Sequence, residues 1–264
     1  MTQRRTVIVT GAGGGIGRAA AARLQQKGWR VFNTMRRPEL AQHGPDALAL
    51  DVTSDDSVAA AVAEIMRRTG RIDAIVNNAG VDMIGAAEEI STAEAKKLFQ
   101  TNFFGVHRLV RAVLPIMGAQ RRGHVVIVGS IAGFLPTSFS AFYSASKHAL
   151  EGYTETLAFE TAPFGVCCVL IEPGFIKTEL RCKKSESAER IDVYAERRAR
   201  VASAMDKSVG NGIPPDWVAA VIARALDVER PRQRYLVGGD AHWLAFVRGF
   251  MPEFVFQMGL KQQF

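Results

Sequence analysis

Residues 6–28 read T-V-I-V-T-G-A-G-G-G-I-G-R-A-A-A-A-R-L-Q-Q-K-G. Val7 to Thr10 is a β-branched run suited to a buried strand; it stops at a cluster of glycines, and the alanine-rich segment beyond has helical composition. Strand, glycine turn and helix in that order are the first half of a βαβ unit, and residues 30–34 supply its second strand. Gly11, Gly15 and Gly17 are spaced G-x-x-x-G-x-G, with Gly13 between them. They do not fit G-x-G-x-x-G, whose third glycine falls at Ile16. A loop so placed is either a flexible turn or a cradle in which backbone amides at a helix N-terminus meet a pyrophosphate. The setting favours the cradle.

The alternation continues along the chain. Strand-like runs at 47–50, 72–76, 125–128 and 166–171 are separated by helical patterns at about 55–68, 92–117 and from 141 onward. Thr53 with Asp56, and Ser91 with Glu94, have capping-box spacing and mark helix starts. This order predicts an α/β chain, a single-domain Rossmann-type doubly wound parallel sheet with helices on both faces, over residues 1–264. No Pro/Ser-rich or charged linker divides it.

Composition narrows the function. The formal charge of +7 and a pI near 9.6 invite a polyanionic partner, but 33 Lys and Arg are interleaved with 26 Asp and Glu. A generic basic surface is the expectation, with no nucleic acid bound. Cys167 and Cys168 are adjacent and no C-x-x-C is present, so reduced core thiols are expected. The apolar run at 7–9 is too brief for a signal-peptide core, and Arg248, Pro252 and Glu253 interrupt the aromatic C-terminal stretch, so a cytoplasmic protein without an integral membrane segment is expected. His43, His107, His124, His148 and His242 show no ligand spacing, and no metal site is expected.

The residues that carry chemistry cluster at strand ends, where open α/β sheets bind ligands. Arg36 and Arg37 end the second strand, where an acid would hold the ribose 2′-hydroxyl of NAD; arginine forks suit the 2′-phosphate of NADP, unless the pair is only a solvated turn. Asp51 and Val52 end the third strand within reach of an adenine. Asn77-Asn78-Ala79-Gly80 ends the fourth, and G-S-I-A-G with Ser130 follows the fifth. In A-F-Y-S-A-S-K, Tyr143 and Lys147 stand four residues apart on one helical face, so the ammonium is expected to lower the phenol pKa and make it a general acid or base.

T-G-A-G-G-G-I-G, N-N-A-G, Ser130, Y-S-A-S-K and P-G-F-I-K-T, in that order over roughly residues 6–240, resemble the short-chain dehydrogenase/reductase family. The resemblance implies that Ser130, Tyr143 and Lys147 are catalytic, with Asn102 in T-N-F-F-G as the structural and proton-relay asparagine. It implies a dinucleotide site built from Gly11, Gly13, Gly15, Ile16 and Gly17, from Asp51, Val52, Asn77, Ala79 and Gly80, from Tyr143 and Lys147, and from Pro173, Gly174, Ile176 and Thr178 beside the nicotinamide. NADP-preferring members often carry a basic residue inside the glycine loop; this chain has Gly14 there, which leaves the preference for NADP(H) over NAD(H) to Arg36 and Arg37.

Residues 30–37 and 143–166 also look like the hydroxysteroid and retinol dehydrogenase branch, which implies a bulky lipophilic alcohol or ketone. A reductase of 3-oxoacyl thioesters is the second reading, and a non-enzymatic NADP-binding scaffold the third. Substrate choice is expected from Phe134, Leu135 and Phe139, which are either pocket or core, from a mobile helical lid at about 175–212, and from a tail at about 240–264 holding Trp243, Phe246, Phe250, Phe254 and Phe256. A homodimer or homotetramer is implied, with Leu109, Val110, Val113, Leu150 and Leu157 serving either that interface or the sheet.

Overall fold

The structure is a computed structural model that describes residues 4–37, 44–178 and 185–250. In chain order its elements are β1 (Thr6–Thr10), α1 (Gly15–Gln26), β2 (Arg30–Met35), β3 (Ala47–Ala49), α2 (Asp55–Thr69), β4 (Ala74–Asn77), β5 (Met83–Ile84), α3 (Thr92–Phe99), α4 (Gly105–Gln120), β6 (Gly123–Val128), α5 (Ala141–Thr161), β7 (Val166–Pro173), β8 (Ser185–Glu186), α6 (Ala195–Gly210), α7 (Pro215–Asp227), β9 (Arg234–Val237) and α8 (Gly239–Phe250). Seven strands form one parallel sheet in the order β3-β2-β1-β4-β6-β7-β9, and β5 pairs with β8 apart from it. The chain winds outward from β1 to β3, then crosses back to β4 and continues the other way. The switch point therefore lies between β1 and β4, where such sheets open a ligand crevice at their carboxyl ends.

Both faces of the sheet are covered, as the near-continuous apolar strands require. Along β1, Val7 and Val9 pack with Ala20 and Leu24 of α1 and Ile222 of α7, whereas Ile8 faces Ile65 of α2, Leu109 of α4 and Leu150 of α5. Leu109, Val110, Val113, Leu150 and Leu157 are at most 5% exposed within this second layer. That resolves the two uses open to them: they face the sheet, not a partner.

Two local expectations shift. The helix α2 is capped by Ser54, whose side chain accepts from Ser57 N–H at 3.2 Å, because Thr53 is already engaged with Asp51. The long helix through residue 117 is two helices, α3 and α4, joined by a π-helical turn at Gln100–Phe104. The Ser91–Glu94 capping box at the start of α3 is formed. β9 and the β5–β8 ribbon go beyond the strands read from the sequence.

β7, β9 and α5 meet at a buried acidic cluster. Arg234 lies 2.6 Å from Glu151, 2.8 Å from Glu155 and 3.3 Å from Glu172, and the Glu172 side chain is fully buried. Burial, then the neighbouring Glu151 charge, pushes the Glu172 pKa up, and burial raises Glu151 as well. The folded state thus holds these protons more tightly than the unfolded chain. Their contribution to stability is complete below the usual carboxylate range and is lost as pH rises through the raised values. Thermal melts of wild type should lose stability, relative to Glu172→Gln, as pH climbs from mildly acidic to alkaline; parallel curves would show that Glu172 does not titrate there.

Candidate active site

At Gly11 and Gly17 the glycine loop has no room for a side chain. Gly11 and Gly15 have φ of +66° and +50°, and a Cβ on Gly17 would lie 2.4 Å from the Gly11 carbonyl oxygen. Across the switch point, Asn78 braces this loop: its Nδ2 donates to Thr10 O at 2.9 Å, and its own N–H and that of Ala79 donate to Thr10 Oγ1 at 2.9 and 3.0 Å. The N-N-A-G motif points to Asn77, whereas the residue that braces the loop is Asn78. Strand alternation carries the signal, since Asn78 continues the face of Val76, the face that packs on α1.

The residues present fit a dinucleotide. Gly14 caps α1 without a side-chain bond and the first turn holds no acid, so first-turn amides and the helix dipole are available to a pyrophosphate. Asn77 is 3% exposed, and its Nδ2 has no hydrogen-bond partner among the described residues. Thr178, beyond β7, reaches back to the loop, 3.3 Å from where a Gly15 Cβ would stand. The Pro173–Gly174 turn before it is held by Gly174 N–H to Val237 O at 2.9 Å and Phe175 N–H to Asp240 Oδ2 at 2.7 Å, and Ile176 bridges to Ile213.

At the other end of the crevice, Arg36 and Arg37 are exposed at the edge of β2. Burial raises the Asp51 carboxyl, but hydrogen bonds from Thr53 and the charges of Arg36 and Arg108 outweigh it, and the net pKa falls below the usual aspartate value. Asp51 and Arg36 therefore share one electrostatic neighbourhood. Val52 differs: its side chain packs into the core against Gly105, leaving only its backbone at the edge.

Ser130, Tyr143 and Lys147 converge beyond β6. Ser130 follows the strand and accepts from Ala132 N–H at 3.1 Å as it caps a short 3-10 turn. Its hydroxyl acts on the Tyr143 phenol in the sense that favours the phenolate. One turn on in α5, Lys147 is only 7% exposed; its Nζ donates to Val128 O at 2.9 Å and sits 5.7 Å from the centre of the Tyr143 ring. Asn102, on the π-turn, accepts from Val81 N–H at 2.9 Å and donates to Val81 O at 3.0 Å and to Ser146 Oγ at 3.1 Å. Ser146 in turn donates to the Tyr143 carbonyl at 2.7 Å. The extra residue of the π-turn thus aims an amide that pins the start of β5 to the tyrosine turn.

The expected lowering of the phenol is not what the packed site does. Burial, and then the charge of Asp82, pushes the Tyr143 pKa up beyond its ordinary value, and the Ser130 hydrogen bond offsets this only in part. Lys147 is pushed down to about 8 by burial, against the opposing charges of Asp82 and Glu151. Desolvation disfavours the charged form of each group, and it wins over their proximity. Asp82, which carries no motif, was not singled out in the sequence.

The candidate substrate-selecting segments are placed as follows. Leu135 is core, and Phe139 stacks edge-on with Tyr194 from the segment before α6. That segment is anchored: β8 pairs with β5, Ala188 N–H donates to Glu94 at 3.0 Å, and Arg198 pairs with the buried Glu89. A cavity of about 310 Å³ remains between it and β5, lined by Ile84, Ala195, Ala199 and Ala202 with Arg190 and Arg198. Trp243, Phe246 and Phe250 stack along the exposed side of α8, whereas Phe254 and Phe256 lie outside the described residues. Among the described residues no helix is long and apolar enough to cross a membrane, and no cluster of His, Cys, Asp and Glu is arranged to hold a metal.

A doubly wound parallel sheet with a braced glycine loop at its switch point is the frame of a dinucleotide-dependent oxidoreductase. Comparison with known proteins gives the family. The family model described as short chain dehydrogenase matches residues 5–189. The 3-ketodihydrosphingosine reductase of Bacteroides thetaiotaomicron is 34% identical over 262 residues, 98% of this chain and 97% of that protein. Human retinol dehydrogenase 8 is 40% identical over 193 residues, 68% of this chain and 61% of its own. A solved short-chain dehydrogenase from Streptomyces avermitilis is 37% identical with a TM-score of 0.83, covering 94% of this chain and 95% of that one. The chain belongs to the short-chain dehydrogenase/reductase family, with likeness to its retinol dehydrogenase branch. It is an oxidoreductase that uses a nicotinamide cofactor.

Proposed function

We propose that this enzyme interconverts a carbonyl and an alcohol on a bulky lipophilic substrate, with NADP(H) as cofactor. The observation that carries the reaction is the convergence, beyond the carboxyl end of β6, of half-buried Ser130 and Tyr143 with the buried Lys147. A bound nicotinamide would supply or accept the hydride. Tyr143 would give its proton to the carbonyl oxygen and Ser130 would hold that oxygen, so both act most strongly as negative charge develops there. Lys147, charged and tied to Val128, would steady the resulting phenolate. Apolar side chains near Tyr143, among them Phe142 and Met83, support a lipophilic substrate. The test is cofactor oxidation by the purified enzyme against a panel of hydrophobic ketones and 3-oxoacyl thioesters. Turnover of thioesters alone would replace the lipophilic-ketone reading with the acyl-thioester one.

For the cofactor, the placement of Arg36 beside Asp51 supports NADP(H). Charge-assisted arginine–phosphate pairs contribute roughly 1.5–3 kcal/mol. Arg36→Asp should therefore lower kcat/KM for NADPH by about 10- to 100-fold and raise that for NADH. An unchanged ratio would assign the preference elsewhere. Homo-oligomerisation is proposed through the π-turn leading into α4 and the outer face of α5, where Phe104 and Phe159 are 42% and 80% exposed. A monomer by light scattering at micromolar concentration would exclude it.

A further inference from the structure

The residues that follow β7, Gly174 to Thr178, cross the carboxyl edge of the sheet. They end with Thr178 against the glycine loop, 3.3 Å from where a Gly15 Cβ would stand, although β6 and β4 lie between β7 and β1. The segment is therefore a strap over the crevice at the switch point. Successive peptides of the strap are tied to three different elements. Gly174 N–H donates to Val237 O, at the end of β9, at 2.9 Å. Ile213, in the turn between α6 and α7, donates to Phe175 O and accepts from Lys177 N–H, both at 3.0 Å, while Ile176 turns into the core beside it. Between these lies a tie made by a side chain: Asp240, in the first turn of α8, accepts from Phe175 N–H at 2.7 Å.

The chain on both sides is shaped to seat that carboxylate. A Cβ on Gly174 would stand 2.2 Å from Asp240 Oδ2, and one on Gly238 would stand 2.3 Å from Oδ1. Gly238 also has φ of +113°, a conformation that suits glycine. A carboxylate accepting a backbone N–H is the strong kind of hydrogen bond. The other ties join backbone to backbone, so Asp240 is the one among them that a single side chain supplies. It holds the Gly174–Phe175 peptide, where the strap leaves β7.

The crevice divides a dinucleotide in two. With its pyrophosphate at the first turn of α1 and its adenosine half toward Arg36 and Asp51 on the β2 side, the nicotinamide half falls on the β4–β6 side, under the strap. A strap fixed in place beforehand spares the ligand the ordering of a loose segment. Resting on the nicotinamide-cofactor reading above, we infer that Asp240 is a positioning residue for that half of the cofactor: it acts through Phe175 N–H to keep the strap over the crevice and takes no part in holding the adenosine half. An Asp240 that served only the dipole of α8 makes a different prediction, because a weaker α8 does not distinguish the two halves of the ligand.

The experiment titrates wild type, Asp240→Ala, Asp240→Asn and Gly238→Ala by calorimetry with NADPH and NADH, and with 2′-phospho-ADP-ribose and ADP-ribose, which lack the nicotinamide ring. A freed strap that is in place about a tenth of the time lowers apparent affinity about tenfold. Asp240→Ala should therefore weaken the dinucleotides about tenfold and leave the two ring-less compounds within about twofold of wild type. Gly238→Ala, whose methyl group displaces the carboxylate without touching the strap, should show the same selective loss. Asp240→Asn keeps an acceptor for Phe175 N–H and should bind all four compounds within about threefold of wild type. An equal loss on all four in Asp240→Ala, or no loss on any, overturns the inference and leaves the cofactor reading standing. A loss in Asp240→Asn as large as in Asp240→Ala overturns it as well. Wild type that binds none of the four overturns both readings.

Discussion

Tyr143→Phe is expected to bind NADPH as wild type does and to reduce carbonyl substrates about 10²- to 10⁴-fold more slowly, the usual worth of a positioned general acid. The change removes one oxygen and leaves the ring packed with Val81, Met83 and Phe142, so the fold has little reason to respond. What disappears is the phenol hydroxyl, the proton donor proposed above, on which Ser130 acts. The measurements are steady-state rates beside a fluorescence titration of the cofactor. Residual activity above about a tenth of wild type, with binding intact, would remove Tyr143 from the proton-transfer role.

Burial and the charge of Asp82 raise the Tyr143 pKa and so favour the neutral phenol. Alcohol oxidation needs the phenolate, and the ammonium of Lys147 is the group that favours it. Because burial brings Lys147 down to about 8, that help fades as the solution passes mildly alkaline pH. Oxidation therefore meets opposing requirements, a deprotonated tyrosine and a protonated lysine.

The fold was legible because periodicity and punctuation agree along the chain. Buried parallel strands need continuous apolar runs, and a strand followed by closely spaced glycines and an amphipathic helix has few other uses. The short edge elements were less legible. β9 is four residues, R-Y-L-V, and its arginine is spent on Glu151, Glu155 and Glu172, so no apolar pattern announces a strand. β5 and β8 are two residues each and exist through each other. At the site, Tyr143, Lys147 and Ser130 could be found because their spacing is local to an element or a strand end. Asp82 could not, since its charge reaches Tyr143 and Lys147, about sixty residues away in sequence, only through the fold. The tyrosine pKa failed for a related reason. Spacing shows that a cation is near, but only packing shows how little water is.

Gly17→Ala should abolish cofactor binding while leaving a folded protein. A methyl group there would stand 2.4 Å from the Gly11 carbonyl oxygen and 2.5 Å from Asn78 Nδ2, both well inside contact distance. Neither neighbour can retreat freely. The Gly11 carbonyl belongs to a loop with φ of +66°, and Asn78 is fixed by its bonds to Thr10 across the switch point. Either the first turn of α1 moves away from β1 or the Asn78 brace breaks, and in both cases the first-turn amides lose their aim at the pyrophosphate. Overpacking of this kind costs about 1–3 kcal/mol of stability, which lowers the melting temperature without unfolding the chain. The loss of NADPH affinity should exceed about 100-fold, the equivalent of a few charge-assisted hydrogen bonds. Gly152→Ala in α5 is the matched control, because a Cβ there meets nothing within 4 Å. It should raise stability by up to about 1 kcal/mol through helix propensity alone. If Gly17→Ala binds NADPH as tightly as that control, the crevice at the β1–β4 switch point is not the cofactor site.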